Sequence, residues 1–157
     1  MDPVSTTWIV ALDSRQARFF AEPLRAGPLR ELPELQMEAT SEERGAGRGQ
    51  RATMHSRVGD GRSAAGERDP AHAAEARFVK RVAAQLASAA ERGDFDRLVL
   101  MGPPHALGAL RKALAPAVAA RVDATDPHVR VHEDAEAMRR ILRDARARTW
   151  RSAPTER

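Results

Sequence analysis

A chain of 157 residues with no cysteine has room for one ordinary domain and none for disulfides or thiolate metal sites. Its longest apolar runs, around Trp8–Leu12 and Leu98–Met101, fall far short of the roughly 20 residues that a membrane helix needs, so no membrane insertion is expected. A composition 42 % hydrophobic and 31 % charged, a net charge of +4 and an opening Met-Asp-Pro-Val-Ser without the features of a secretory signal place the protein in the cytoplasm.

Trp8-Ile9-Val10-Ala11-Leu12 is apolar on both faces, the pattern of a central strand. Asp13-Ser14-Arg15 is turn chemistry, and Ala17–Ala21 resumes an extended pattern, giving a hairpin. A third strand is expected over Leu29–Met37, at an edge because Pro33 cannot donate to a ladder. From Thr40 to Arg68 the periodicity stops: six of the ten glycines (45, 47, 49, 59, 61 and 66) fall there, the composition of a flexible loop spanning 40–68. Asp69-Pro70 restarts order as N-cap and first helical residue. Phe78, Val82 and Leu86 then mark one stripe of a long helix that Gly93 ends.

Phe95–Met101 reads as a buried strand stopped by Gly102-Pro103-Pro104. A second helix carries Leu107, Leu110 and Leu114 inward, with Pro116 kinking it or starting a new turn. Val122–Thr125 or Val129–His132 supplies a last short strand. The final helix, about Asp134–Trp150, has acids early and arginines late, in keeping with its dipole. The order β-β-β-α-β-α-β-α indicates a single α/β domain over residues 1–151 with a mixed sheet, residues 152–157 forming a disordered tail.

Charge is unevenly placed. Arg44, Arg48, Arg51, Arg57, Arg62 and Arg68 face only Asp60 and Glu67 within 44–68, so this one segment holds a surplus equal to the +4 of the whole chain. A mobile cationic segment favours polyanions, because neutralising phosphates releases condensed counterions. Aromatic residues, 4 % with no tyrosine, do not supply the stacking platform of an RNA-recognition sheet. Lys80 and Lys112 are the only lysines.

Several segments resemble the bacterial host-attachment family: Trp8-Ile-Val-Ala-Leu-Asp-Ser-Arg-Gln-Ala-Arg-Phe-Phe20, the Asp69-Pro70 opening of a helix that contains Phe78, Phe95-Asp-Arg-Leu-Val-Leu-Met-Gly-Pro-Pro104, and Leu107-Gly-Ala-Leu-Arg111. The likeness spans about Thr7 to Leu142. That family is similar in turn to the central domain of archaeal and eukaryotic class-1 peptide-chain release factors and of pelota. The resemblance implies a ribonuclease-H-like fold and work on the ribosome, tRNA or another RNA.

Release factors carry Gly-Gly-Gln on a loop ahead of the long helix. Here the corresponding loop has Arg48-Gly49-Gln50, about twenty residues before the helix. By that resemblance Gln50 is the candidate catalytic residue for hydrolysis of a peptidyl-tRNA ester, with Arg44, Arg48, Gly49, Arg51, Arg57, Arg62 and Arg68 as RNA contacts. A binding role without catalysis is the preferred expectation, and a protein-interaction module acting indirectly in surface attachment is the other alternative.

No cofactor and no metal are expected. Asp13, Glu31 and Asp96 are the acids a two-metal nuclease would need, but Asp13 reads as a turn former and Asp96 as the start of a strand. His55, His72, His105, His128 and His132 lack metal-ligand spacing. A strand through Val129–His132 would hold His128 and His132 about 13 Å apart, and His105 reads as a capping or solvent-facing residue. Arg139, Arg140, Arg143 and Arg146 form a solvated helical face.

Overall fold

The structure is a computed structural model that describes residues 5–44 and 70–152. Every residue of β1 (Thr7–Leu12) is buried, as a strand covered on both faces requires. It pairs antiparallel with β2 (Gln16–Glu22), Thr7 opposite Glu22 and Leu12 opposite Ala17. Asp13 closes the hairpin: its Oδ1 accepts from the Arg15 and Gln16 amides at 2.8 and 2.9 Å. On its other side β1 runs parallel to β5 (Arg97–Met101), which runs parallel to β6 (Val122–Asp126). The order is β3-β2-β1-β5-β6, in one mixed sheet of an α/β domain.

The third strand differs from expectation. Two-residue strands β3 (Arg30–Glu31) and β4 (Met37–Glu38) both pair with β2, and a 3₁₀ turn, Pro33–Leu35, separates them. Pro33 sets the break: it lacks a ladder donor, and its fixed φ suits the first position of a turn. The edge position expected from that proline holds for β3.

Alternation along the strands splits the core. Trp8, Val10, Leu12, Phe19, Leu98 and Leu100 meet Phe78, Val82, Leu86, Leu110 and Val118 on one face. Ile9, Ala11, Phe20, Val99 and Met101 meet Met138 and Leu142 on the other. The first face is covered by α1 (Pro70–Glu91), α2 (Pro104–Ala113) and α3 (Pro116–Ala119), the second by α4 (Ala135–Ser152).

Helix ends follow the sequence closely. Gly93, at φ +76°, ends α1; its amide bonds the Ala90 carbonyl and that of Asp94 the Ala89 carbonyl, both at 3.0 Å, a Schellman cap. Pro116 begins a new turn rather than kinking α2, with Ala115 extended before it. Asp134 caps α4 through the Ala137 amide at 2.8 Å. That helix runs through Ser152, the first residue of the expected tail at 152–157, and residues 153–157 lie outside the described residues.

Ser41–Arg44, at the start of the segment expected as a loop over 40–68, is helical, and 45–68 lies outside the described residues. Of the two stretches expected as alternatives for the last strand, Val122–Thr125 forms it, within β6, and Val129–His132 is not a strand; there Arg18 Nη1 donates to the Val131 carbonyl, and to that of Glu133 just beyond, at 2.8 and 2.7 Å.

Candidate functional site

The described start of the basic segment, Thr40–Arg44, is tightly built. Thr40-Ser41-Glu42-Glu43 is a capping box: Thr40 Oγ1 accepts from the Glu43 amide at 3.1 Å, and Glu43 Oε1 from the Thr40 amide at 2.7 Å. Arg81 of α1 donates to the same carboxylate from Nε at 3.1 Å and Nη2 at 2.9 Å. Its Nη2 also reaches the Glu38 carbonyl at 2.8 Å, and the guanidinium lies 5.4 Å from the Phe78 ring centroid. The Arg81 bonds, helped by the Thr40 amide and opposed by burial, lower the Glu43 carboxyl from 4.5 to about 2.

Arg44 follows directly, exposed, its amide on the Thr40 carbonyl at 2.9 Å. Arg48, Gly49, Gln50, Arg51, Arg57, Arg62 and Arg68 lie outside the described residues. The described residues resume at Pro70, the first residue of α1. Between Pro70 and Arg81 that helix rises about 17 Å.

Beside this stretch lies a groove of about 440 Å³ between α1 and α2. Both helices return the chain between parallel strands, so they lie alongside one another and point the same way. His72, Glu75 and Lys80 of α1 and His105 and Lys112 of α2 supply its polar groups, while Ala76, Gly108, Ala109 and Ala113 are its small, apolar lining. Glu75 is 8 % exposed, and His105 Nδ1 stands 3.0 Å from its Oε1. With Nδ1 in this contact, Nε2 is the remaining ring nitrogen. His105 thus faces solvent, as expected, and also pairs with a buried acid, while it makes no cap for α2.

The two lysines of the chain both line this groove. Among the described residues neither is paired with a carboxylate. Gly108 sits in the interior of α2, and nothing beyond its own helix lies within 4 Å of where its Cβ would stand. A helix-interior glycine costs up to about 1 kcal/mol relative to alanine, and packing against this chain does not require it.

A family model described as "Protein required for attachment to host cells" matches residues 8–142. The chain belongs to that family. No curated protein matches it. The matched span includes the root at Thr40–Arg44, the α1–α2 groove and the whole sheet from Trp8 onward.

Elsewhere in this family member the acids singled out from sequence do not converge. Asp13 holds the β1–β2 turn, while Asp96, at the opposite end of the parallel strands, accepts from the Thr6 amide at 2.9 Å. Glu31 receives Arg18 through two bonds of 2.9 and 2.8 Å. Among the described residues no group of three His, Asp or Glu could hold a metal ion.

Sequence reasoning missed the two buried carboxylates that tie α4 and its approach to the sheet. Asp126, fully buried at the end of β6, takes His128 Nδ1 at 2.6 Å, Arg130 Nε at 2.7 Å and Arg148 Nη2 at 3.1 Å. Burial pushes its carboxyl up, but the Arg130 and His128 bonds outweigh that and hold it below the usual range. Glu22, 1 % exposed, receives Arg146 through bonds of 2.8 and 2.6 Å. Arg146 is thus not part of a solvated face, and Arg139 also turns back, donating to the Ala26 carbonyl at 2.9 Å. Neither hub had a local sequence signal: the packing of α4 on the sheet brings Arg146 to Glu22 and Arg148 to Asp126.

Proposed function

We propose that this member of the host-attachment family is an RNA-binding protein that grips phosphates with the cationic segment 44–68. One observation carries the reading: the surplus of the whole chain, +4, is concentrated in a segment whose root is clamped to α1 by the Glu43–Arg81 pair. A root fixed in this way supports the reading, because a preorganised anchor lowers the ordering cost of binding. The resemblance to the release-factor central domain, with its ribonuclease-H-like fold, makes ribosomal RNA or tRNA the natural source. The sheet order β3-β2-β1-β5-β6, antiparallel on one side of β1 and parallel on the other, supports that likeness. Attachment to host cells is then an indirect consequence of an RNA-level role.

The test is binding of tRNA and ribosomal RNA across a salt series, comparing wild type with a variant carrying serine at Arg44, Arg48, Arg51, Arg57, Arg62 and Arg68. Six phosphate contacts on single strands predict a contribution of about −4 to the slope of log K on log[salt], lost in the variant. Equal affinity and slope for both proteins overturn the reading. Peptide release from peptidyl-tRNA by the wild type, lost in Gln50→Ala, would move the conclusion to the hydrolase alternative.

A further inference from the structure

We propose that the groove between α1 and α2 binds a nucleoside phosphate, its apolar lining taking the ring and its two lysines the phosphate. This deepens the RNA reading, but it stands on different residues.

The groove asks for an anion. Lys80 and Lys112 line it without a carboxylate partner among the described residues, and the one acid within it, Glu75, is buried and engaged by His105. Two ammonium groups match the charge of a phosphate monoester, about −1.5 to −2 at neutral pH, whereas a single carboxylate ligand would leave one of them uncompensated. Lysine is a point-charge phosphate ligand. This chain carries arginine at every other basic position, so the meeting of its two lysines in one groove is a local feature and does not follow from composition.

The groove also has room and a surface for a ring. About 440 Å³ lies within the usual range of small-molecule sites, and Ala76, Ala109 and Ala113 offer a low apolar wall. Gly108 keeps that wall open. A Cβ there would meet nothing beyond its own helix within 4 Å, so its absence adds open space to the groove. His105, with Nδ1 committed to Glu75, retains Nε2 as a polar group for the ligand.

The ligand has two possible sources: a free nucleotide, or the terminal nucleotide of an RNA whose chain continues toward segment 44–68. His72 lines the groove only two residues beyond Pro70, so the groove is close in sequence to segment 44–68.

Calorimetric titration of the full-length protein with AMP, GMP, CMP and UMP, each beside its nucleoside, tests the free-nucleotide arm. Fluorescence anisotropy with short RNAs bearing a 5′-phosphate, a 3′-phosphate or hydroxyl ends tests the terminal arm. The expected result is phosphate-dependent binding in at least one arm, weakened tenfold or more in the Lys80→Gln/Lys112→Gln double variant and in Gly108→Leu. Thermal unfolding of each variant checks the fold, and Gly108→Ala, with its better helix propensity, should raise Tm by a few degrees. The variant with serines in segment 44–68 should keep mononucleotide binding, which separates failure of this site from failure of the segment. Absence of phosphate-dependent binding in both arms, or affinity within twofold of wild type in both groove variants, overturns the proposal.

Discussion

Arg81→Met is expected to release the root of the basic segment while leaving the domain folded. Arg81 holds Glu43 through two hydrogen bonds and the Glu38 carbonyl through a third, and methionine can keep the apolar contact with Phe78. The drop of the Glu43 carboxyl from 4.5 to about 2 corresponds to about 3 kcal/mol at roughly 1.4 kcal/mol per pKa step. Arg81 is 41 % exposed, however, so water screens the pair, and the expected loss at pH 7 is about 1 kcal/mol. The folded-state value lies below the unfolded one, so the stabilisation is complete above about pH 4.5 and fades as the pH falls toward 2. Urea unfolding of wild type and variant from pH 2.5 to 7 should give curves that stand apart by a constant gap above pH 5 and close below it. A gap that is the same at pH 3 and pH 7, or a Glu43 carboxyl titrating near 4.5 in the wild type by NMR, would refute the electrostatic account of the clamp.

Two further substitutions probe the frame around the candidate site. Arg146→Met strands the buried Glu22 charge and should cost about 3–5 kcal/mol; adding Glu22→Gln should recover most of it, and a double-mutant cycle by chemical denaturation reads the coupling. Gly102→Ala and Gly108→Ala should move stability in opposite directions. A Cβ at Gly102 would stand 2.6 Å from the Leu12 carbonyl oxygen, costing about 1–3 kcal/mol. The same change at Gly108 meets nothing beyond its own helix and should gain about 0.5–1 kcal/mol, both measured by thermal melts.

Much of the fold was written locally. The apolar run Trp8–Leu12, the Asp13 turn, the four-residue spacing of Phe78, Val82 and Leu86, and the stops at Gly93 and Pro116 each depend on neighbours within a turn or two. Periodicity and turn chemistry therefore reach them. Local pattern failed where a distant side chain replaces a backbone partner. Arg18 satisfies the Val131 and Glu133 carbonyls, so a stretch that alternates like a strand never joins the sheet. The capping box at Thr40–Glu43 was readable in principle, but the glycines just beyond it masked it.

The cationic segment and the family resemblance came from sequence, because charge counts and segment order need no coordinates. The groove did not. His72, Glu75 and Lys80 lie some thirty residues from His105 and Lys112, and nothing in either stretch marks the other as its neighbour. They meet because two right-handed crossovers lay α1 and α2 side by side on one face of the sheet. The buried pairs Glu22–Arg146 and Asp126–Arg148, 124 and 22 residues apart, arise the same way. An isolated arginine in the sequence carries no sign of whether water or a buried carboxylate will receive it, and that choice is made only when the layers close.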